Sequence, residues 1–291
     1  MTRISETDLI LNEDGSAYHL NLHPGDVADT VITVGDPDRV GAISRYFDHI
    51  ELKKGKREFI THTGRIGNKR LTVISTGIGT DNIDIALNEL DALVNIDFDT
   101  RLVKSRLKSL DIVRIGTSGA IQADIPIDSL LASSAAFGLD QLMHYYQQEV
   151  NPAEEALLKA FSDALAQKGH QLSPYIANAH TGLLNTLAIN VQQGITITAP
   201  GFYSPQGRQV RAVSQTPRLM EVLQNFNWNG NRITNLEMET AGIYGLAESL
   251  GHRALSFNVI LANRATNIFS QNPAKTMDRY IKQVLEKLTA L

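Results

Sequence analysis

The sequence predicts an α/β fold in which a mixed, mainly parallel central sheet is flanked by helices, within a single domain spanning residues 1–291. Short apolar runs rich in β-branched residues end in glycine or a polar residue, and several are followed by helical periodicity. Strands separated by helices require crossover connections, which produce parallel pairs covered on both faces. No internal repeat or low-complexity linker interrupts the chain.

Five apolar runs predict strands, each followed by turn residues. In chain order they are residues 31–34 before GDPDR, 71–75 before TGIG, 111–115 before GTSG, 194–199 before a loop with proline and glycine, and 254–261 before Asn263. Apolar residues recur at helical spacing from Ile83 to Leu93 and again from Pro273 onward, which predicts two amphipathic helices packed on the core. The polar stretch 95–108 between a helix and the next strand has no function that the sequence reveals.

Composition excludes several classes of protein. The 291 residues are 43% hydrophobic and 20% charged with a net charge of −4, so a sizeable core is expected, and no nucleic-acid or membrane partner is indicated. The chain has no cysteine, which excludes disulfides, a thiol nucleophile and cysteine-ligated metal. No signal peptide or membrane-spanning run is predicted, and the expected location is the cytoplasm.

Arg114 stands out because it interrupts an apolar strand. A guanidinium is rarely buried without a partner, so Arg114 either forms a buried ion pair or binds a ligand, and the residue alone does not decide between them. Gly116 and Thr117 would add a backbone N–H and a hydroxyl for an oxyanion, and Arg39 would converge from the first strand–helix loop. No Walker or GxGxxG sequence follows a strand, which disfavours a nucleoside triphosphate or a dinucleotide.

Eight short motifs, in order, resemble the uridine phosphorylase branch of the nucleoside phosphorylase superfamily. They are HLNL at 19–22, GDPDR at 35–39, REF at 57–59, STGIG at 75–79, RIGTSGAI at 114–121, FYSPQGR at 202–208, NLEME at 235–239 and NR at 263–264. Each motif is weak alone, but eight in register specify the family. The resemblance implies a pentosyltransferase that uses phosphate to cleave uridine, or a related pyrimidine nucleoside, into uracil and ribose 1-phosphate.

The resemblance also assigns roles to individual residues. The residues implied to bind phosphate are Gly35, Arg39, Arg57, Arg114, Gly116 and Thr117. Those implied to bind ribose are His19, Glu237, Met238 and Glu239, and those implied to bind the base are Phe202, Gln206, Arg208 and Arg264. Arg57 and His19 would reach into the neighbouring subunit, the latter to the ribose 5′-hydroxyl. The implied catalytic residues are Arg114, Arg208 and Gln206.

These roles make chemical sense. Uracil presents an acceptor, a donor and an acceptor along one edge, which a Gln amide and an Arg guanidinium can match. In an extended segment, Gln206 and Arg208 would project to the same side, although this loop alone would be interpreted as ordinary surface. As the glycosidic bond lengthens, positive charge on the ribose and negative charge on the base are stabilised by phosphate and by these donors. No metal or cofactor is implied, and inorganic phosphate is the co-substrate.

The sequence leaves more than one function open on this fold. Purine-type relatives keep an aspartate after the last strand to protonate the base, whereas this chain has Asn263, and an amide cannot deliver that proton. Pyrimidine is therefore favoured over a purine nucleoside phosphorylase. A nucleosidase that uses water and a non-catalytic nucleoside-binding protein are also compatible with the same fold. The order of proline and glycine in residues 202–208 leaves the preference among uridine, deoxyuridine and thymidine open.

The resemblance also implies an assembly. If Arg57 and His19 act across an interface, the smallest competent unit is a two-fold dimer, and related bacterial enzymes combine three dimers into a hexamer. Those enzymes hold a monovalent cation between subunits near a serine of the loop after Gly79. Asn82 stands there in this chain, which argues against the cation without excluding it.

Overall fold

The computed structural model describes residues 3–290, which form strands and helices that alternate along the chain. The strands are β1 (Thr30–Val34), β2 (His49–Lys56), β3 (Phe59–Ile66), β4 (Lys69–Ser75), β5 (Ile96–Asp97), β6 (Leu102–Val103), β7 (Asp111–Ala120), β8 (Leu130–Gly138), β9 (Tyr175–Asn178), β10 (Gln192–Thr198), β11 (Asn227–Trp228), β12 (Asn231–Glu237), β13 (Arg253–Asn263) and β14 (Ile268–Phe269). The α-helices are α1 (Pro37–Ser44), α2 (Thr80–Asn95), α3 (Pro152–Gln167), α4 (Thr181–Leu187), α5 (Leu219–Asn225), α6 (Thr240–Ser249) and α7 (Pro273–Thr289).

Twelve of the strands form one large sheet in the order β11-β12-β10-β8-β13-β7-β1-β4-β3-β2, with β9 on β8 and β14 on β13. An additional antiparallel pairing joins β12 to β7, so that β7, β13, β8, β10 and β12 close into a five-stranded ring. Within residues 3–290, this sheet has five parallel and seven antiparallel pairings. The predicted mixed α/β fold is confirmed, but the predominance of parallel pairs is not.

The core follows from the apolar patterns. All five residues of β1 are buried, and the predicted apolar face of α2 is buried in the same hydrophobic core. The predicted C-terminal helix is α7, which begins at Pro273 and buries Met277, Ile281 and Leu285 among others. Complete burial of a leucine or isoleucine side chain contributes about 1.5–3 kcal/mol, so α7 is held mainly by packing. No helix within residues 3–290 is long and apolar enough to span a bilayer.

Residues 95–108 contain the small antiparallel pair β5–β6, which lies outside the large sheet. Arg101, in the turn between these strands, donates from Nη1 to the carbonyl oxygens of Ser5 (3.2 Å) and Leu9 (2.7 Å). The backbone N–H of Ile4 donates in turn to the Arg101 carbonyl at 2.9 Å. This stretch therefore anchors the N-terminal segment, a role that its polar composition did not reveal.

Candidate active site

A cavity of about 800 Å³ opens where β1, β4, β7, β12 and β13 end. Predicted site residues that line it are Gly35, Arg39, Arg114, Thr117, Phe202, Gln206, Arg208, Glu237, Met238 and Glu239. Its position agrees with the rule that ligands bind beyond the carboxyl ends of the strands in α/β sheets. Four predicted residues do not line it: Gly116, Arg264, His19 and Arg57.

Arg114 on β7 lies at the floor of the cavity and is buried. Its Nη2 donates to Glu239 Oε2 at 2.6 Å and lies 3.0 Å from Glu237 Oε2, while its Nη1 donates to Asn258 Oδ1 at 3.0 Å. Burial opposes the charge of the guanidinium, but the two carboxylates together raise the pKa of Arg114, which keeps it charged. The ion-pair interpretation left open by the sequence is confirmed, and because Arg114 also lines the cavity, ligand binding stays a prediction for it.

Glu237 is held by the start of α6. Its carboxylate accepts hydrogen bonds from the backbone N–H groups of Glu239 (2.9 Å) and Thr240 (2.9 Å) and from Thr198 Oγ1 (2.6 Å), besides the ion pair with Arg114. Burial raises the pKa of the Glu237 carboxyl, and the Arg114 charge opposes that shift. Because its acceptor positions are used within the protein, Glu237 orients Arg114 and the helix start.

Glu239 is the N-cap residue of α6 and, unlike Glu237, has unused hydrogen-bond acceptor positions. Its Oε1 accepts the backbone N–H of Gly79 at 2.9 Å, and its Oε2 accepts Arg114. An ionised carboxylate has about four acceptor positions, so each oxygen can still accept a hydroxyl. Of the two glutamates, Glu239 has the acceptor capacity that a vicinal diol requires.

Gly35, Arg39 and Thr117 line one wall of the cavity. Arg39 was expected in a loop but lies in the first turn of α1, because the Asp36 side chain caps this helix and Pro37 begins it. Burial, with a smaller contribution from the Arg114 charge, lowers the pKa of Arg39, and Asp36 at 3.9 Å opposes that shift. An anion bound beside Arg39 would stabilise its charged form.

Gly116 has a role different from the predicted one. The strand was expected to end before it, but β7 continues to Ala120, and Gly116 pairs with Asn258 of β13. A Cβ atom at Gly116 would lie 2.0 Å from Arg114 Nη1. The glycine therefore provides the space into which the Arg114 guanidinium folds back, and it does not line the cavity.

The opposite end of the cavity is formed by the loop after β10. Ser204–Gln206 is a 3₁₀ turn and Gly207 is left-handed at φ +68°, so the expected extended segment is absent from this loop. Gln206 and Arg208 nevertheless meet, because Arg208 Nη1 donates to Gln206 Oε1 at 2.7 Å. The Arg208 guanidinium also lies 3.9 Å from the centre of the Phe202 ring, a cation–π contact.

Arg264 supports this loop from behind. Its Nη1 donates to the backbone carbonyl of Gln206, and its Nη2 lies 3.4 Å from the carbonyl of Gly207. Asn263 is used in a similar way, because its side-chain NH₂ donates to the carbonyl oxygens of Gln122 and Ile125, both at 2.8 Å. Both residues stabilise loops around the cavity, and the Asn263 amide does not line it.

His19 and Arg57 both lie beside Tyr18, and neither lines the cavity, although Glu58 next to Arg57 does. Arg57 is in the turn between β2 and β3 at φ +55°, an uncommon backbone conformation for a residue other than glycine. Its guanidinium is 5.9 Å from the centre of the Tyr18 ring, and the edge-on His19 ring is 4.8 Å from the same ring. The structure thus brings together the two residues predicted to act on a neighbouring subunit.

Sequence reasoning missed several cavity residues. They are Glu58, Ile78, Ser118, Leu236, Leu261 and Phe269, and Asn82 was noted only for the cation. Phe269 on β14 is 61% exposed and reaches the cavity because β14 folds back onto the end of β13. A single exposed aromatic residue is common on protein surfaces, so no pattern in the sequence could have identified it. No group of three metal-ligating side chains occurs in the described part of the chain.

Comparisons with known proteins agree with this geometry. The family model of the Phosphorylase superfamily matches residues 29–290. A uridine phosphorylase of Thermococcus kodakarensis is 33% identical over 265 residues, covering 89% of this chain and 82% of that protein. A DeoD-type purine nucleoside phosphorylase of Shewanella denitrificans is 26% identical, covering 81% and 82%. A crystal structure of a Trypanosoma brucei nucleoside phosphorylase, described as showing uridine phosphorylase activity, aligns with a TM-score of 0.87 at 29% identity, covering 98% and 100%.

The chain belongs to the phosphorylase superfamily, because that family's model matches most of its length. Within the superfamily, the 33% identity to the Thermococcus enzyme puts it in the uridine phosphorylase branch. The resemblance carried by the eight motifs is thereby confirmed.

Proposed function

We infer that this protein catalyses the phosphorolysis of uridine to uracil and ribose 1-phosphate. The observation that carries this conclusion is that one cavity contains three chemically different groups of side chains. It has arginines for an anion at Arg39 and Arg114, a carboxylate with free acceptor positions at Glu239, and the Gln206–Arg208 pair for a polar base edge. Phosphate, ribose and base, bound next to each other, require these three groups.

We propose a mechanism in which a phosphate oxygen bonds to C1′ as the C1′–N1 bond breaks and its electron pair leaves with uracil. Phosphate beside Arg39 stabilises the positive ribose, and Arg208 with Gln206 stabilises the negative base. Glu239 accepts the ribose hydroxyls. The direct 2.6 Å contact between Arg114 and Glu239 links the phosphate and ribose ends of the site. The uracil anion then takes a proton from solvent.

We also propose that the site is shared. His19 and Arg57 lie in one cluster that does not line the cavity of their own chain, which supports the idea that a neighbouring subunit receives them. A two-fold dimer is the smallest assembly that would complete both sites, and a hexamer of three dimers is the expected form. A single domain, a cytoplasmic location and an optional interface cation near Asn82 stay predictions.

The purine alternative has one point in its favour, since a DeoD-type relative also aligns over most of the chain. The polar groups at the base end favour a pyrimidine. Gln206 and Arg208 offer a donor and acceptor set for a uracil edge, while Asn263 is hydrogen-bonded to the backbone and can deliver no proton to a purine nitrogen.

The first prediction is that uracil is released from uridine only when inorganic phosphate is present, with ribose 1-phosphate as the co-product. Phosphate is the nucleophile in this mechanism, so its omission stops the reaction. The measurement is uracil release by liquid chromatography, with inosine as a second substrate. Equal rates without phosphate would identify a nucleosidase. Faster cleavage of inosine than of uridine would identify a purine enzyme, and no turnover of either substrate would identify a binding protein.

The second prediction is that Arg208→Ala and Gln206→Ala raise the KM for uridine and leave the KM for phosphate near the wild-type value. Each leaves polar edges of the base unpaired, which costs about 1–3 kcal/mol per group. Because Arg208 donates to Gln206, the double variant is expected to lose less than the sum of the single variants. Arg211→Ala, an exposed arginine on the same loop, is the matched control. Wild-type kinetics in both variants would contradict the base-binding role.

A further inference from the structure

Glu89 on α2 directs its carboxylate to the turn that carries His19. The Glu89 side chain is only 12% exposed, and its Oε1 lies 2.6 Å from His19 Nδ1. Its Oε2 accepts the backbone N–H groups of His19 at 3.0 Å and Leu20 at 2.8 Å. A largely buried carboxylate thus makes all of these contacts to a single short turn.

The backbone of this turn has other supports. The N–H of Ala17 donates to the Leu22 carbonyl and that of Asn21 to the Ala17 carbonyl, both at 2.9 Å. Lys56 Nζ donates to the carbonyl of Tyr18 at 2.6 Å. Besides accepting two backbone N–H groups of this turn, the Glu89 carboxylate orients the His19 ring through its contact with Nδ1.

An ionised carboxylate can only accept, so His19 Nδ1 must carry the hydrogen of the 2.6 Å contact. In the neutral ring Nε2 is then an acceptor, and it has no hydrogen-bond partner among residues 3–290. The His19 side chain is 24% exposed, which leaves it within reach of a second molecule. The ring is therefore held in one tautomer with its acceptor nitrogen unoccupied.

We propose that Glu89 is a positioning residue for the reaction. It holds His19 in the Nδ1–H tautomer, so that Nε2 accepts the ribose 5′-hydroxyl bound in the partner's cavity. The same carboxylate keeps the ring at a fixed angle to the turn. This inference rests on the proposed function, because it requires a nucleoside in a site shared between two subunits.

The test compares uridine with 5′-deoxyuridine, which lacks the hydroxyl. Glu89→Ala is expected to raise the KM for uridine about tenfold, the effect of one lost hydrogen bond, and to leave the KM for 5′-deoxyuridine near the wild-type value. His19→Ala is expected to do the same. The ratio of the two KM values in the double variant should match that in His19→Ala, because Glu89 acts on the 5′-hydroxyl through that ring. Glu155→Ala, an exposed glutamate on α3, is the matched control.

A general loss of structure would slow both substrates equally, so the ratio of their KM values separates positioning from folding. Glu89→Gln provides a second variant that keeps the side-chain length and one acceptor for the backbone amides, and we expect a smaller change in the same ratio. An unchanged ratio in both Glu89 variants, or a double variant whose ratio differs from that of His19→Ala, would overturn the proposal. Failure of the wild type to release uracil with phosphate would instead refute the proposed function.

Discussion

Mixing two nearly inactive variants, Arg57→Ala and Arg39→Ala, is expected to restore activity to about a quarter of the wild-type value. In the proposed shared site, each homo-oligomer would lack one phosphate ligand at every site, and loss of such a charge-stabilising donor lowers kcat about 100-fold or more. In a mixed dimer, one site lacks both arginines and the other has both. Random exchange makes about half of the dimers mixed and half of their sites intact, which yields the quarter. The measurement is the rate of uracil release after denaturation and refolding of an equimolar mixture.

Arg39 is chosen as the second variant because its removal leaves the buried contacts of Arg114 in place. Arg232→Ala, which breaks an exposed ion pair with Asp124, is the control and should be active by itself. Proof of subunit exchange by mass spectrometry must accompany the assay. If exchange is complete and activity does not recover, Arg57 serves its own subunit or does not bind phosphate.

Glu237→Ala is expected to lower the free energy of unfolding by about 3–5 kcal/mol, the loss typical when one partner of a buried ion pair is removed. The substitution leaves Thr198 Oγ1, two backbone N–H groups at the start of α6 and part of the Arg114 charge without their acceptor. Urea denaturation at a fixed protein concentration measures the change, since assembly also contributes to stability.

The exposed Glu286 on α7 is the matched control, because Glu286→Ala removes a carboxylate that has no such contacts. Glu237→Gln keeps the side-chain volume and one acceptor oxygen, so its free energy of unfolding should lie between those of Glu237→Ala and Glu286→Ala. If Glu237→Ala unfolds like the wild type while activity is lost, Glu237 contacts the ribose directly, as the resemblance implied, and its role in orienting Arg114 is minor.

The sequence located β1, β4, β7 and β13, because buried strands produce short apolar runs followed by turn residues, but it did not locate β12, whose end also forms the cavity. It could not reveal which strands pair. The ring closes through Asn235 and Leu236 of β12 against Ala120 and Gly119 of β7, residues more than a hundred positions apart. Neither stretch carries a local signal for the other. The hairpin β2–β3 was missed because β2 is mostly polar and has no buried residue, so it produces no apolar run.

For the site, the motifs identified most residues of the cavity but not how they are connected. Gly116 resembled a ligand-binding glycine, yet its use depends on the side chain of Arg114, two residues earlier. Glu89 belongs to no motif at all, and only the fold brings it to His19. Contacts between side chains distant in sequence depend on packing, which periodicity and spacing do not encode.

The closed ring would divide the proposed shared site into two regions of different local stability. Strands β7 and β12, which carry Arg114 and Glu237, are bonded on both sides within the ring, so their amide hydrogens should exchange only on global unfolding. Arg57 lies instead in the hairpin formed by β2 at the outer edge of the sheet, where local opening is easier. Each subunit would thus contribute the rigid part of its own site and, through the β2–β3 hairpin, the more mobile part of its neighbour's site. Bound substrate would then slow deuterium uptake most in the β2–β3 hairpin.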